Sequence, residues 1–366
     1  MMKIHRTSLR RALRTTALAA LILPSALSVA TPAGAVTSTV YASGFNNPRG
    51  LKFSPEGILY VAEGGAGGTN STAGQCDQVV PPIGPYTGAP TGGRISKVVG
   101  GHRVTVNDKF ASSVTANNLV SGVADIAWVD GKLYAITAGG GCSHGVLGHP
   151  NGVYRVHGDE TPHLVANLSA FQMANPVAHP NADDFEPDGT WYSMIAVRDH
   201  LYAIEPNHGE LDRISTSGEI SRVADISASQ GHIVPTAVDF HGNFYVGNLN
   251  TFPIQSGSSK ILKITPSGYV STAAWGFTTV VGVAFDHHDR MYVLENTVGQ
   301  PFPTPGYGDV VRVDPNGKKT IVIKNLALPT AMTFGPDGAL YISILGFGPP
   351  PSEPNGPGLV MRFTGF

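Results

Sequence analysis

The chain has 366 residues, of which 42% are hydrophobic and only 14% charged, with 45 glycines and 28 prolines. Low charge beside so much apolar content excludes a disordered chain, which needs the opposite balance. Abundant glycine and proline without a strict period exclude collagen and favour many tight turns.

The chain opens on a basic head, Lys3, Arg6, Arg10, Arg11 and Arg14, with no acid among them. An apolar run from Ala17 to Val29 follows, then Ala33-Gly34-Ala35, the small-x-small pattern a signal peptidase accepts. This predicts a cleaved export signal over 1–35, with the mature chain starting near Val36. The apolar run is short for a span of about 20 residues, so no membrane insertion is expected after cleavage. Without the five leader cations, 19 basic residues remain of the 24, against 26 acidic ones, a net charge of −7. The mature chain thus lacks the basic footprint that phosphate backbones and anionic lipids require, and nucleic acid is excluded as a partner. A secreted, monomeric protein is expected.

Thr39-Val40-Tyr41-Ala42-Ser43 reads as a lone strand ahead of the first repeat. A phrase then recurs around Tyr60, Tyr134, Tyr202, Tyr245, Tyr292 and Tyr341, as in Gly57-Ile58-Leu59-Tyr60-Val61-Ala62 and Gly338-Ala339-Leu340-Tyr341-Ile342-Ser343. After each tyrosine comes a loop and an alternating strand with a cation inside: Lys97, Arg155, Arg213, Lys263, Arg312 and Arg362. Pro-Asn-Gly and Pro-Asp-Gly turns close the strands, and no sustained helical period follows the leader. In the fifth unit the strands are 281–285, 290–295, 309–313 and 320–324.

Six units of four strands fit a six-bladed β-propeller, all-β and a single domain over 36–366. The last unit stops after three strands, and the lone N-terminal strand supplies its fourth, which closes the ring and hides both sheet edges. The loops after the second strands and the connections between units then share one face. Those loops are long: 64–92, 139–151, 249–259, 296–308 and 345–358, with a connection over 171–192. Loops of that length mark the working face. Cys76 and Cys142 fall in equivalent loops of adjacent blades, so a disulfide is expected between them. The alternative, a metal site of Cys142, His144 and His149, matches no standard zinc spacing.

The stretch Val234-Pro235-Thr236-Ala237-Val238, Tyr245-Val246-Gly247-Asn248-Leu249-Asn250-Thr251-Phe252-Pro253 and Gly335-Pro336-Asp337-Gly338-Ala339-Leu340-Tyr341 resembles the ScyD/ScyE family of secreted, NHL-like propellers. The family takes its name from scytonemin-biosynthesis gene clusters. The resemblance covers residues from about 40 to 366. It implies an exported six-bladed propeller and no particular reaction. The connection 175–184 and the turn 205–210 depart from the family's usual pattern, which puts a shared ligand contact at that blade in doubt.

Three residues past the repeat tyrosines, the second strands end at Glu63, Thr137, Glu205, Asn248, Glu295 and Ile344. Glu63, Glu205, Asn248 and Glu295, joined by Asp125 near the axis, form a candidate ligand or metal set for Ca²⁺ or another divalent ion. The competing reading has these side chains tying down the backbone of the next connection. His208 is the single candidate for acid–base work, without a partner evident in sequence. His179, Asp183, Asp184, Glu186 and Asp188 crowd the second long connection, either as a metal cluster or as a solvated loop. Nucleophile elbows, P-loops, dinucleotide fingerprints and zinc helices are absent.

Two functions are expected on these grounds. One is a secreted binding or accessory propeller holding a small molecule, glycan or protein through Tyr86, Phe252, Phe302, Tyr307 and Phe347. The alternative is a metal-dependent enzyme of lactonase or sugar-dehydrogenase type. Fold alone does not choose between them.

Overall fold

A computed structural model describes residue 1 and residues 36–81, 83–180, 185–347 and 357–366. The expected export signal, and Asp183 and Asp184 of the second connection, lie outside the described residues. The chain separates into residues 1–34 and residues 35–366. The second unit is a six-bladed β-propeller.

Six antiparallel sheets make the ring. The first blade runs through Pro48–Phe53, Leu59–Glu63, Tyr86–Val99 and His102–Thr115, with a short fifth strand at Val120–Ser121. The fifth runs through Val280–Phe285, Met291–Glu295, Gly308–Val313 and Lys319–Leu326, close to its predicted bounds. The sixth contributes Ala331–Phe334, Leu340–Ile344 and Gly358–Thr364, and the N-terminal strand Thr37–Phe45 completes it. Thr37 pairs with Thr364 and Phe45 with Gly358, so the two ends of the propeller are hydrogen-bonded into one sheet.

The core lies between the blades and not at the centre of the ring. Six apolar clusters fill the six interfaces; one joins Ala42, Phe45 and Val360 of the last blade to Leu51, Leu59 and Val61 of the first. Each blade is buried on both faces, which is why its middle strands read as nearly continuous apolar runs such as Leu-Tyr-Ile-Ser-Ile.

The two sequence repeats prove to be one structural pair. Tyr60 lies directly across from Lys97, Tyr134 from Arg155, Tyr202 from Arg213, Tyr245 from Lys263, Tyr292 from Arg312 and Tyr341 from Arg362. Most of these tyrosines also set a ring against an aromatic of the following blade. Tyr60 meets Trp128 edge-on at 5.2 Å, Tyr292 meets Phe334 at 5.1 Å, and Tyr341 meets Phe53 across the closure at 5.0 Å. Edge-to-face ring pairs of this kind add about 0.5–1.5 kcal/mol beyond area burial.

Two local features differ from the sequence expectation. The second connection contains a helix, Leu168–Ala174, and the third carries a one-turn helix, Ser227–Gln230. Asn167 caps the first by accepting a 2.9 Å hydrogen bond from the Ala170 amide. Two turns are too few to show a helical period in sequence. The first long loop is also shorter than read, because Tyr86–Val99 and His102–Thr115 extend as a hairpin beyond the blade, with Tyr86 paired to Thr115.

Candidate functional site

The long-loop face holds a cavity of about 170 Å³, whose lining includes one aromatic residue from each of four blades: Tyr86 of the first, Phe252 of the fourth, Phe302 of the fifth and Phe347 of the sixth. Phe302 stands 5.8 Å from Phe252 and 5.6 Å from Phe347, ring centre to ring centre. Trp191 and Tyr192, from the connection into the third blade, complete the wall. Tyr307 is exposed and stands apart from the lining.

Below it runs a narrow axial channel of about 20 Å³, lined by residues at the inner edges of all six blades. Arg49 and Tyr192 border both spaces and so divide the cavity from the channel. The Arg49 guanidinium donates to the Val120 carbonyl and lies over the Phe347 ring, 4.5 Å from its centroid. The Tyr192 hydroxyl donates to the Thr330 carbonyl at 2.9 Å. Burial holds the Arg49 guanidinium below its ordinary pKa, opposed by the neighbouring Tyr192 and Tyr86 hydroxyls. Burial likewise pushes the Tyr192 phenol up.

A disulfide secures one rim. Cys76 and Cys142 are bonded, with their α-carbons 6.3 Å apart. The Thr72 hydroxyl donates to the Cys142 carbonyl beside it. The loop pair presses close: a Cβ on Gly88 would stand 2.4 Å from the His144 carbonyl oxygen. Tyr86 is thereby laid over His144, ring centres 4.5 Å apart.

The candidate ligand residues stand at the strand ends as read, each holding local donors. Glu63 accepts from the Asn46 amide at 2.6 Å and from Arg94 and Ser96. Glu205 accepts from the Thr190 amide at 2.9 Å and the His208 amide at 2.5 Å. Asn248 donates to the Ile233 carbonyl and accepts from the Lys260 amide. Glu295 accepts from the Thr278 amide. Burial, then the charge of Asp309, pushes the Glu295 carboxyl up to about 9.

Asp125 does reach the channel. It accepts from the Met194 amide at 2.9 Å and the Ser193 hydroxyl at 3.2 Å, and faces Lys52 at 3.9 Å. Burial pushes its carboxyl up, with Lys52 the largest opposing influence. Only glycine fits opposite, since a Cβ on Gly50 would lie 1.9 Å from an Asp125 oxygen. The structure does not gather these residues: among the described residues no three His, Cys, Asp or Glu side chains are placed to share a metal ion. A hard cation needs six to eight oxygens, and these donors are dispersed and already hydrogen-bonded.

His208 is buried behind the cavity wall, stacked on Phe185 at 5.2 Å, with Nε2 3.3 Å from the Glu186 carbonyl oxygen. The Glu186 side chain lines the cavity and approaches His144 Nε2 at 3.6 Å. Asp188 accepts from both the amide and the hydroxyl of Ser143 at 2.7 Å. Sequence reasoning missed Arg49, Trp191 and Tyr192. The available signal was a cation outside the sixfold register, at the start of an inner strand.

No protein-family model matches the chain, and no curated protein matches it. Solved structures do. A Thermus thermophilus protein described as a putative oxidoreductase (glucose dehydrogenase) is 16% identical, covers 90% of this chain and all of its own, and gives a TM-score of 0.56. A putative gluconolactonase is 12% identical over 91% of this chain and 92% of its own, at 0.52. The PQQ-bound aldose sugar dehydrogenase of Streptomyces coelicolor is 14% identical over 92% of this chain and all of its own, at 0.52. At these identities the likeness is one of fold. The chain is a six-bladed β-propeller.

Proposed function

We propose that the chain is an exported binding propeller of the ScyD/ScyE type that holds a small, largely apolar molecule on its long-loop face. The supporting observation is the convergence of Tyr86, Phe252, Phe302 and Phe347 on one cavity. Concave sites lined by aromatic side chains with few polar groups are the usual form of a small-molecule site. Rings from separate blades supply broad contact area at little conformational cost. The reading as a metal-dependent lactonase or sugar dehydrogenase has less support, since Glu63, Glu205 and Glu295 spend their oxygens on neighbouring amides and Arg94.

A thermal-shift panel of small aromatics, monosaccharides and lactones tests the proposal. Aromatic compounds are expected to raise the Tm in proportion to ln(1 + [L]/Kd). A panel in which only sugars or lactones stabilise would contradict it.

A further inference from the structure

We infer that the molecule held in this cavity is a small planar aromatic acid, its ring among Phe252, Phe302 and Phe347 and its carboxylate on Arg49. This rests on the binding reading above and narrows it to a ligand class.

The inference starts from the electrostatics of Arg49. Its immediate partners are neutral: the Val120 carbonyl, the Tyr192 hydroxyl and the face of Phe347. No carboxylate among the described residues lies within ion-pair distance of it. The nearby acids are otherwise engaged. Asp125 faces Lys52 at 3.9 Å, and Glu186 faces His144 at 3.6 Å. A cation enclosed by protein without a counterion is costly, and an entering anion relieves that cost.

Arg49 is half-buried and lines the cavity, so a ligand can reach it. A guanidinium offers five donors in a planar fork that matches a carboxylate. Size sets the remainder of the molecule. A cavity of roughly 150 Å³ takes benzene, so about 170 Å³ encloses one ring bearing an acid group, and a second ring would lie against the exposed Phe252 at its mouth.

Isothermal titration of the chain with 2-naphthoate and with its neutral planar counterpart 2-naphthamide tests this. The acid is expected to bind about tenfold more tightly or better, as a charge-assisted hydrogen bond replaces a neutral one. Arg49→Gln should erase that difference while 2-naphthamide still binds, and Arg49→Lys should restore part of it. Equal affinities for the two compounds in the unaltered chain would overturn the assignment, a comparison that needs no variant to fold. A preference surviving in Arg49→Gln would overturn it too. If neither compound binds, the cavity reading itself falls.

Discussion

The guanidinium carbon of Arg49 lies 4.5 Å from the centroid of the Phe347 ring. Arg49 begins the first blade's inner strand, and Phe347 follows the second strand of the last blade. They are neighbours only because the ring closes. Closure also places the Thr330 hydroxyl 2.7 Å from the Pro48 carbonyl it donates to, while the Thr330 carbonyl anchors Tyr192 from the third blade. The site is therefore a product of the whole ring.

Weakening the closure should destabilise the whole propeller. Phe45, at the end of the N-terminal strand, is fully buried among Leu51, Leu59 and Tyr341. Phe45→Ala is expected to cost about 3–5 kcal/mol in denaturant unfolding. A loss within about 0.5 kcal/mol, the range of an ordinary surface substitution, would show that the N-terminal strand does not lock the ring.

Removing the staple should loosen the rim. The Cys76–Cys142 bond spans 66 residues and joins the loops that hold Tyr86 over His144. Cys76→Ser with Cys142→Ser is expected to lose about 2–4 kcal/mol of stability and to speed amide exchange over 70–90 and 139–151. Unchanged exchange in those loops would mean that packing alone fixes them.

Glu295 gives the chain a pH-dependent component of stability. Its carboxyl is pushed up from 4.5 to about 9 by burial and by Asp309. Between those values the folded chain retains a proton that the unfolded chain releases. The contribution is complete below about 4.5 and is lost as pH rises through about 9. Burial and Asp212 push Glu210 up to about 9 as well, in the same direction. Glu295→Gln keeps an oxygen for the Thr278 amide and removes the titration. Its Tm should fall less than that of the unaltered chain between about pH 5 and pH 9. An identical slope, or a variant that does not fold, would contradict this account.

Much of the fold was legible because a propeller repeats a local unit. Tyrosine and cation recur in sequence since each pair lies across two adjacent strands, as Tyr341 does from Arg362. The missing fourth strand of the last unit was visible by subtraction, and Thr37–Phe45 fills it. The capped helix Leu168–Ala174 was not visible, because one asparagine cap and tertiary packing hold two turns that carry no period. The loop aromatics could be named but not ranked: Tyr307 and Phe302 look alike in sequence, and only Phe302 lines the cavity. Arg49 stood out in sequence only as a cation outside the sixfold register. The role proposed for it follows from which neighbours lack a negative charge, and that depends on contacts between the first, third and sixth blades.

The most direct test of the cavity as the binding site is isothermal titration of 2-naphthoate into the unaltered chain and into the Phe252→Ala/Phe302→Ala double variant. One site per chain is predicted, weakened roughly tenfold or more by the loss of both rings, with only a small fall in the variant's Tm because both are loop residues outside the blade cores, Phe252 exposed and Phe302 half-buried. Equal affinity in the two proteins, or no binding to either, would contradict it.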